Sequence, residues 1–130
     1  MELTFESIRE VTADVDEVKL SLALNNLVEN AIKYNVEGGW VRVTLDADHK
    51  FFYVKVADSG IGISEEFQEH IFERFYRVDK SHSKAIGGTG LGLSIVKHGV
   101  TFLGGTLKMV SEIGKGTELT MTFPKERKVV

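Results

Sequence analysis

Cysteine is absent from these 130 residues, and proline occurs once, at position 124. The first absence excludes disulfides and thiolate metal sites. No run of 18 apolar residues is present and the N-terminus has no cleavable signal pattern, so nothing in the sequence spans a membrane or directs export. On the missing cysteine any compartment remains possible, with the cytosol merely unopposed. A chain of this length is also the size of an excised domain, and a larger parent anchored in a membrane is compatible with it. There is no low-complexity stretch and no repeat with a period of 20–50 residues. Basic excess is lacking too: a net charge of −3 argues against a dedicated nucleic-acid binder. What remains is a composition with 42% hydrophobic and 27% charged residues. It suits one domain covering 1–130, able to bury roughly two-thirds of its unfolded surface.

Weak alternation over Met1–Val15 (Leu3, Phe5, Val11, Ala13, Val15) predicts one or two short strands, with Asp14 or Asp16 available to cap the next element. From Glu17 to Asn35, Leu20, Leu24, Leu27, Val28 and Ala31 recur at steps of three and four, which predicts a long helix ended by Gly38-Gly39. Trp40–Asp46 and Phe51–Asp58 alternate with period two around a polar tetrad, a hairpin pattern. Ser64 precedes Glu65 and Glu66, and Phe67, Ile71, Phe72 and Phe75 share a helical side, predicting a second helix. Periodicity vanishes over Tyr76–Thr89. Leu93, Val96, Val100 and Leu103 mark a third helix stopped by Gly104-Gly105; TLKMVS and TELTMTF then flank EIGKG as a second hairpin, closed by Pro124. The simplest assembly is α+β: a two-layer sandwich with one mixed, mostly antiparallel sheet, three helices on one face and a more polar opposite face.

Glycine is concentrated in GGTGLGLSIVK, Gly87–Lys97, where a helix begins. Each glycine costs roughly 1 kcal/mol against alanine in a helix, so crowding them there needs a reason. The GxGxxG pattern fails, because starts at Gly88 and Gly90 end on Leu93 and Ile95; a Walker loop fails because Gly114-Lys115 is followed by Gly116. The underlying physics is still available. Bare backbone N–H groups at a helix start attract anions, each favourable contact being worth about 0.3–1 kcal/mol. A flexible linker is the competing reading.

Asn26, Asn30 and Lys33 form one stripe beside the apolar face of the first long helix. An amide oxygen is a hard ligand suited to Mg²⁺, which keeps phosphates and waters as its other ligands, and a lysine nearby would neutralise phosphate. A solvated helix flank would look the same. In ADSGIGIS, Asp58 at a strand end could accept from an exocyclic amino group for roughly 1.5–3 kcal/mol, or the segment could be only a tight turn.

NLVENAIKYN, DSGIGIS, IFERFYRVD and GGTGLGLSIVK occur in that order and resemble the N, G1, F and G2 boxes of sensor histidine kinases. The resemblance is to the catalytic and ATP-binding domain, whose nucleotide site has the Bergerat fold shared with gyrase, Hsp90 and MutL. It covers essentially the whole chain, since KHGVTFLGGTLKMVSEIGKGTELTMTFP resembles that domain's usual ending. It implies that Asn30 coordinates the Mg²⁺ of bound ATP, with Asn26 one turn earlier on the same wall. Lys33 would contact phosphate and Tyr34 would line the pocket, together with Ile63. Asp58 would recognise the adenine amino group, with Gly60 and Gly62 letting the base come close. Phe72 and Phe75 would anchor the F box, and Arg77 would reach the terminal phosphate. Residues 76–89 would form an ATP lid hinged at Gly87 and Gly88, and the Gly88-Thr89-Gly90-Leu91-Gly92 turn would place N–H groups on the phosphates. Around the lid, Arg74, Arg77, Lys80 and Lys84 face only Glu73 and Asp79 in charge count, a local positive excess that suits a polyphosphate.

The resemblance implies a protein-histidine kinase module whose partners are ATP, a separate dimerisation domain carrying the acceptor histidine and, through it, a response regulator. Neither nucleic acid nor membrane would be touched directly, and the isolated domain would be a monomer. In ATP-hydrolysing relatives a glutamate usually stands one turn before the metal-binding asparagine; here that residue is Asn26, which cannot act as a base, and Glu29 is turned about 100° away around the helix. Transfer is therefore favoured over hydrolysis. None of His49, His70, His82 and His98 has the context of an acceptor histidine, and their scatter does not suit zinc. A different Bergerat ATPase and a non-catalytic nucleotide-binding module are the alternatives. Three departures stand out: Asn35 where Thr or Ser often follows the lysine-tyrosine pair, Gly99 in mid-helix, and TFLGG without its usual preceding histidine.

Overall fold

Two hairpins and one edge strand build a single sheet in the computed structural model, which describes residues 1–9, 11, 13, 15–73 and 92–125. The strands are β1 (Glu2–Ser7), β2 (Trp40–Ala47), β3 (Phe51–Asp58), β4 (Thr106–Glu112) and β5 (Gly116–Pro124). Their spatial order is β1-β2-β3-β5-β4. β1 runs parallel to β2, with Leu3 opposite Val41, and every other pairing is antiparallel. Mixed, mostly antiparallel pairing was the expected form. Val41, Val43, Phe52, Val54, Val56, Leu119, Met121 and Phe123 all turn to one face and are buried, as period-two alternation requires. Phe52 and Phe123 meet there with ring centroids 5.2 Å apart. The opposite face carries Arg42 over the Trp40 ring and a Lys55–Glu118 ion pair of 3.5 Å, the polar side that was expected.

Helices α1 (Glu17–Lys33), α2 (Glu65–Gln68) and α3 (Gly92–Phe102) come in chain order. Asp16 caps α1, its carboxylate accepting from the Lys19 N–H at 3.1 Å; Asp14 lies outside the described residues. Ala23, Leu27 and Ala31 are the buried stripe of α1, and Val96 and Val100 that of α3, closing a core with the apolar sheet face. Burying each such aliphatic or aromatic side chain contributes about 1.5–3 kcal/mol relative to exposing it.

α1 stops at Lys33, two residues before the expected end. Asn35 turns its own side-chain oxygen to the Val36 N–H at 2.8 Å, which diverts the backbone from the helical ladder. The Gly38-Gly39 pair marks the turn into β2. The second helix is also shorter than its pattern suggested. Phe67, His70 and Glu73 each donate to the carbonyl three residues back, at 3.0, 3.0 and 2.8 Å, so the segment after Gln68 is a run of tight turns. Ile71 is still buried and Phe72 still packs on the core; Phe75 lies outside the described residues. Ser64 occupies the cap position of α2 but makes no capping bond, and its buried hydroxyl has no partner among the described residues.

α1 and α3 lie side by side on the sheet. Gly99 faces Ala23 and the Lys19 carbonyl, each 3.8 Å from where a Cβ would stand, and the Lys19 ammonium sits 5.1 Å from the Phe102 ring centre. Since α1 begins only at Glu17, α3 can overlap it from there only by running antiparallel. The N-terminal end of α3 therefore lies toward the Asn26–Asn30 half of α1. No helix among the described residues is long and apolar enough to cross a membrane.

Candidate nucleotide site

Helical spacing places Asn26 and Asn30 one turn apart, both half-buried. Each amide is fixed by its own helix: Asn26 Nδ2 donates to the Leu22 carbonyl at 2.8 Å and Asn30 Nδ2 to the Asn26 carbonyl at 2.9 Å. Only an NH₂ can donate to a carbonyl, so these bonds settle which way each amide points. Asn30 Oδ1 is left without a hydrogen-bond donor among the described residues. A hard oxygen with no donor on it among the described residues fits a hard cation such as Mg²⁺. No group of three His, Asp or Glu side chains stands ready to hold a metal among the described residues. Lys33 and Tyr34 at the end of α1 are exposed.

Asp58 ends β3 between its neighbours Val41 on β2 and Thr117 on β5. Its Oδ1 accepts from the Gly60 N–H at 2.8 Å and the Thr117 N–H at 3.3 Å. Burial pushes the Asp58 carboxyl above the usual carboxylate range, and those two N–H groups oppose the shift without cancelling it. A partly desolvated acid at a strand end is well placed to accept from a neutral donor.

The structure brings the two halves together. Tyr34 closes α1 by donating to Asn30, and its own carbonyl accepts from the Ile61 N–H at 3.2 Å. The asparagine helix and the aspartate turn thus share a wall. Gly60 is buried, and a Cβ there would stand 2.6 Å from the Tyr34 carbonyl and 2.7 Å from Asp58 Oδ1. Gly62 has φ +76° and presses on the Glu112 backbone, where no side chain fits. In both positions the close approach visible here is to the protein's own chain. Ile63 donates to Ser111 Oγ at 2.8 Å, and the Gln68 amide holds the Ile63 carbonyl at 2.7 Å. The Gly114 N–H donates to Ile61 at 3.0 Å, so the β4–β5 turn forms the floor of the loop.

Gly92 opens α3, whose N-terminal end lies toward the asparagine half of α1. Arg77, Gly88, Thr89, Gly90 and Leu91 lie outside the described residues. Thr117 and Ser111 were not singled out in the sequence, although EIGKGT held a hint in its second glycine. Their place beside Asp58 and Ile63 comes from strand register, which a single sequence does not display.

Among curated relatives, the sensor histidine kinase WalK of Bacillus subtilis (strain 168) is 42% identical over 118 residues, 89% of this chain and 19% of the relative. The sensor histidine kinase RppB of Synechocystis (strain PCC 6803) is 44% identical over 115 residues, 88% of this chain and 25% of the relative. The chain thus spans a quarter or less of either. Among solved structures, the catalytic domain of histidine kinase ThkA superposes with a TM-score of 0.82 at 30% identity, covering 97% of this chain and 81% of that one. Full-length ShkA in complex with AMPPNP gives 0.82 at 29% identity, covering 99% and 26%. A family model described as histidine kinase-, DNA gyrase B-, and HSP90-like ATPase matches residues 15–127. With that model covering most of the chain, this protein belongs to the histidine kinase-, DNA gyrase B- and HSP90-like ATPase family.

Proposed function

We propose that the chain, taken as one domain over 1–130, is the ATP-binding catalytic domain of a sensor histidine kinase. It binds Mg-ATP and delivers the γ-phosphate to a histidine on a separate dimerisation domain, from which a response regulator is served. The observation that carries this reading is the bond from Ile61 to Tyr34, which joins the helix end bearing Asn30 to the turn bearing Asp58. The matched relatives WalK and RppB are sensor histidine kinases.

In this reading Asp58 accepts from the adenine amino group, with Gly60, Gly62, Ile63 and Tyr34 shaping the base pocket. Asn30 Oδ1 holds the magnesium ion, Asn26 continues the same wall, and Lys33 supplies charge to the phosphates. The N-terminal end of α3, from Gly92, adds backbone N–H groups; the phosphate contacts expected of Gly88, Thr89, Gly90, Leu91 and Arg77, and the expected lid over 76–89, lie outside the described residues. Bound Mg²⁺ supplies charge neutralisation on the phosphate oxygens. Phosphoryl transfer needs mostly positioning and neutralisation, and these groups provide both. Hydrolysis would need a base for water, and Asn26 stands where one would be wanted. The domain itself acts as a cytoplasmic monomer within a larger parent.

The test mixes this chain with a separately expressed dimerisation domain and γ-labelled ATP. Label on that partner's histidine is the expected result; magnesium-dependent phosphate release without label transfer would overturn the kinase reading in favour of an ATPase. Asn30→Ala, which removes Oδ1, should weaken Mg-ATP binding about tenfold, the order of one lost contact to a charged group. An unchanged affinity would remove Asn30 from the metal site.

A further inference from the structure

Asn35 is given no ligand contact in the nucleotide site proposed for Asn30 and Asp58. It is half-buried just beyond the end of α1. Its Nδ2 donates to the Trp40 carbonyl at 2.9 Å, and its Oδ1 accepts from the Ser59 hydroxyl at 3.1 Å. Ser59 Oγ in turn accepts from the Trp40 N–H at 2.8 Å, and the Ser59 N–H donates to the Trp40 carbonyl at 3.1 Å. The two side chains close a ring of hydrogen bonds around Trp40. Three segments meet in it: the end of α1, the start of β2 and the turn after β3.

The ring's position matters more than its existence. Asn35 is the neighbour of Tyr34, which is bonded to Asn30; Ser59 is the neighbour of Asp58. Among the described residues, one other hydrogen bond crosses from the end of α1 to this turn, the one from Ile61 to Tyr34. We infer that Asn35, acting with Ser59, is a positioning residue of the nucleotide site, fixing the separation between its phosphate-side helix end and its base-side turn. This rests on the nucleotide reading of that site. A ligand gripped at both ends gains its second contact at an effective concentration set by how rigidly the two grips are joined. Binding geometry has to be held to within about 0.5 Å for that gain to be realised. Loosening the join should therefore harm ATP, which reaches both walls, more than AMP, which lacks the β- and γ-phosphates.

The experiment measures Mg-ATP and AMP affinities and the melting temperature of the full 130-residue chain. Asn35→Ala should weaken Mg-ATP about tenfold, the scale of a lost part-buried bond with its partner left unpaired, and AMP far less. Asn35→Asp keeps the acceptor for Ser59 but loses the donor to the Trp40 carbonyl, so its ATP-to-AMP ratio should fall between those of the parent and of Asn35→Ala. Ser59→Ala should reproduce the ratio of Asn35→Ala, and the double variant should be no worse than either, since both remove one shared link. A wild-type ratio in Asn35→Ala, whatever its melting temperature, overturns the inference. Should that variant not fold, Ser59→Ala decides by the same ratio. Parent protein that binds neither nucleotide would defeat the nucleotide reading itself, whereas parent binding with unmoved ratios in the variants defeats only the role of Asn35.

Discussion

Asp58 is held under two opposed demands. Its burial disfavours the charge, while recognition of an amino group by the proposed mechanism uses that charge as acceptor. This opposition sets the sign of the pH effect. The folded-state pKa is raised above 3.8, so folding favours the protonated acid. That contribution is present at low pH and is lost as pH rises from about 3.8 through the elevated value. Replacing Asp58 by Asn keeps an oxygen for the Gly60 and Thr117 N–H groups and removes the buried charge. The unliganded variant should melt higher at pH 7, with that segment of the pH dependence flattened, and should lose selection for adenine over guanine nucleotides by about tenfold or more. Melting curves across pH 3–8 together with competitive nucleotide titrations check both halves. A variant that melts lower at neutral pH would refute the desolvation account.

Elements carry the part of the site that sequence could announce. Asn26, Asn30 and Lys33 were legible because α1 fixes their spacing within one helix. Asp58 was legible as the end of an alternating strand. The bond between Asp58 and Thr117 was not, because strand order and register are set by which apolar faces pack together, far from either local sequence. The second helix was overread for a related reason: Ile71 and Phe72 can reach the core from successive tight turns as well as from a continuous helix. Gly99 tests how tightly two elements must meet. A Cβ there would find its nearest neighbours at 3.8 Å, ordinary contact distance, on α1. Gly99→Ala should therefore stabilise the domain by about 0.5–1 kcal/mol, the helix-propensity difference. Urea denaturation reads this directly, and a loss of stability would mean that α3 sits closer to α1 than the structure indicates.

At the scale of the whole molecule, the nucleotide is proposed to bridge α1, the turn after β3 and the start of α3, and so to bind the folded state alone. Ligand at a hundred times its Kd then adds about 2.7 kcal/mol. For a domain of this size the melting temperature should rise by on the order of 10 °C with Mg-ATP. Magnesium alone should do little, and Mg-GTP should give a smaller shift than Mg-ATP. The absence of any shift with Mg-ATP at millimolar concentration would count against a preformed site.

The hairpin that underlies the base-side loop has a consequence for biosynthesis. Asp58 and Thr117 are separated by 59 positions, and Gly114 braces Ile61 from the same distal segment. A nascent chain emerging from the ribosome with α1, β2 and β3 already made would carry the acid and the asparagines but no support beneath the loop. Nucleotide competence should thus arrive late in translation, once β4 and β5 have cleared the exit tunnel, leaving ATP little hold on partly made protein.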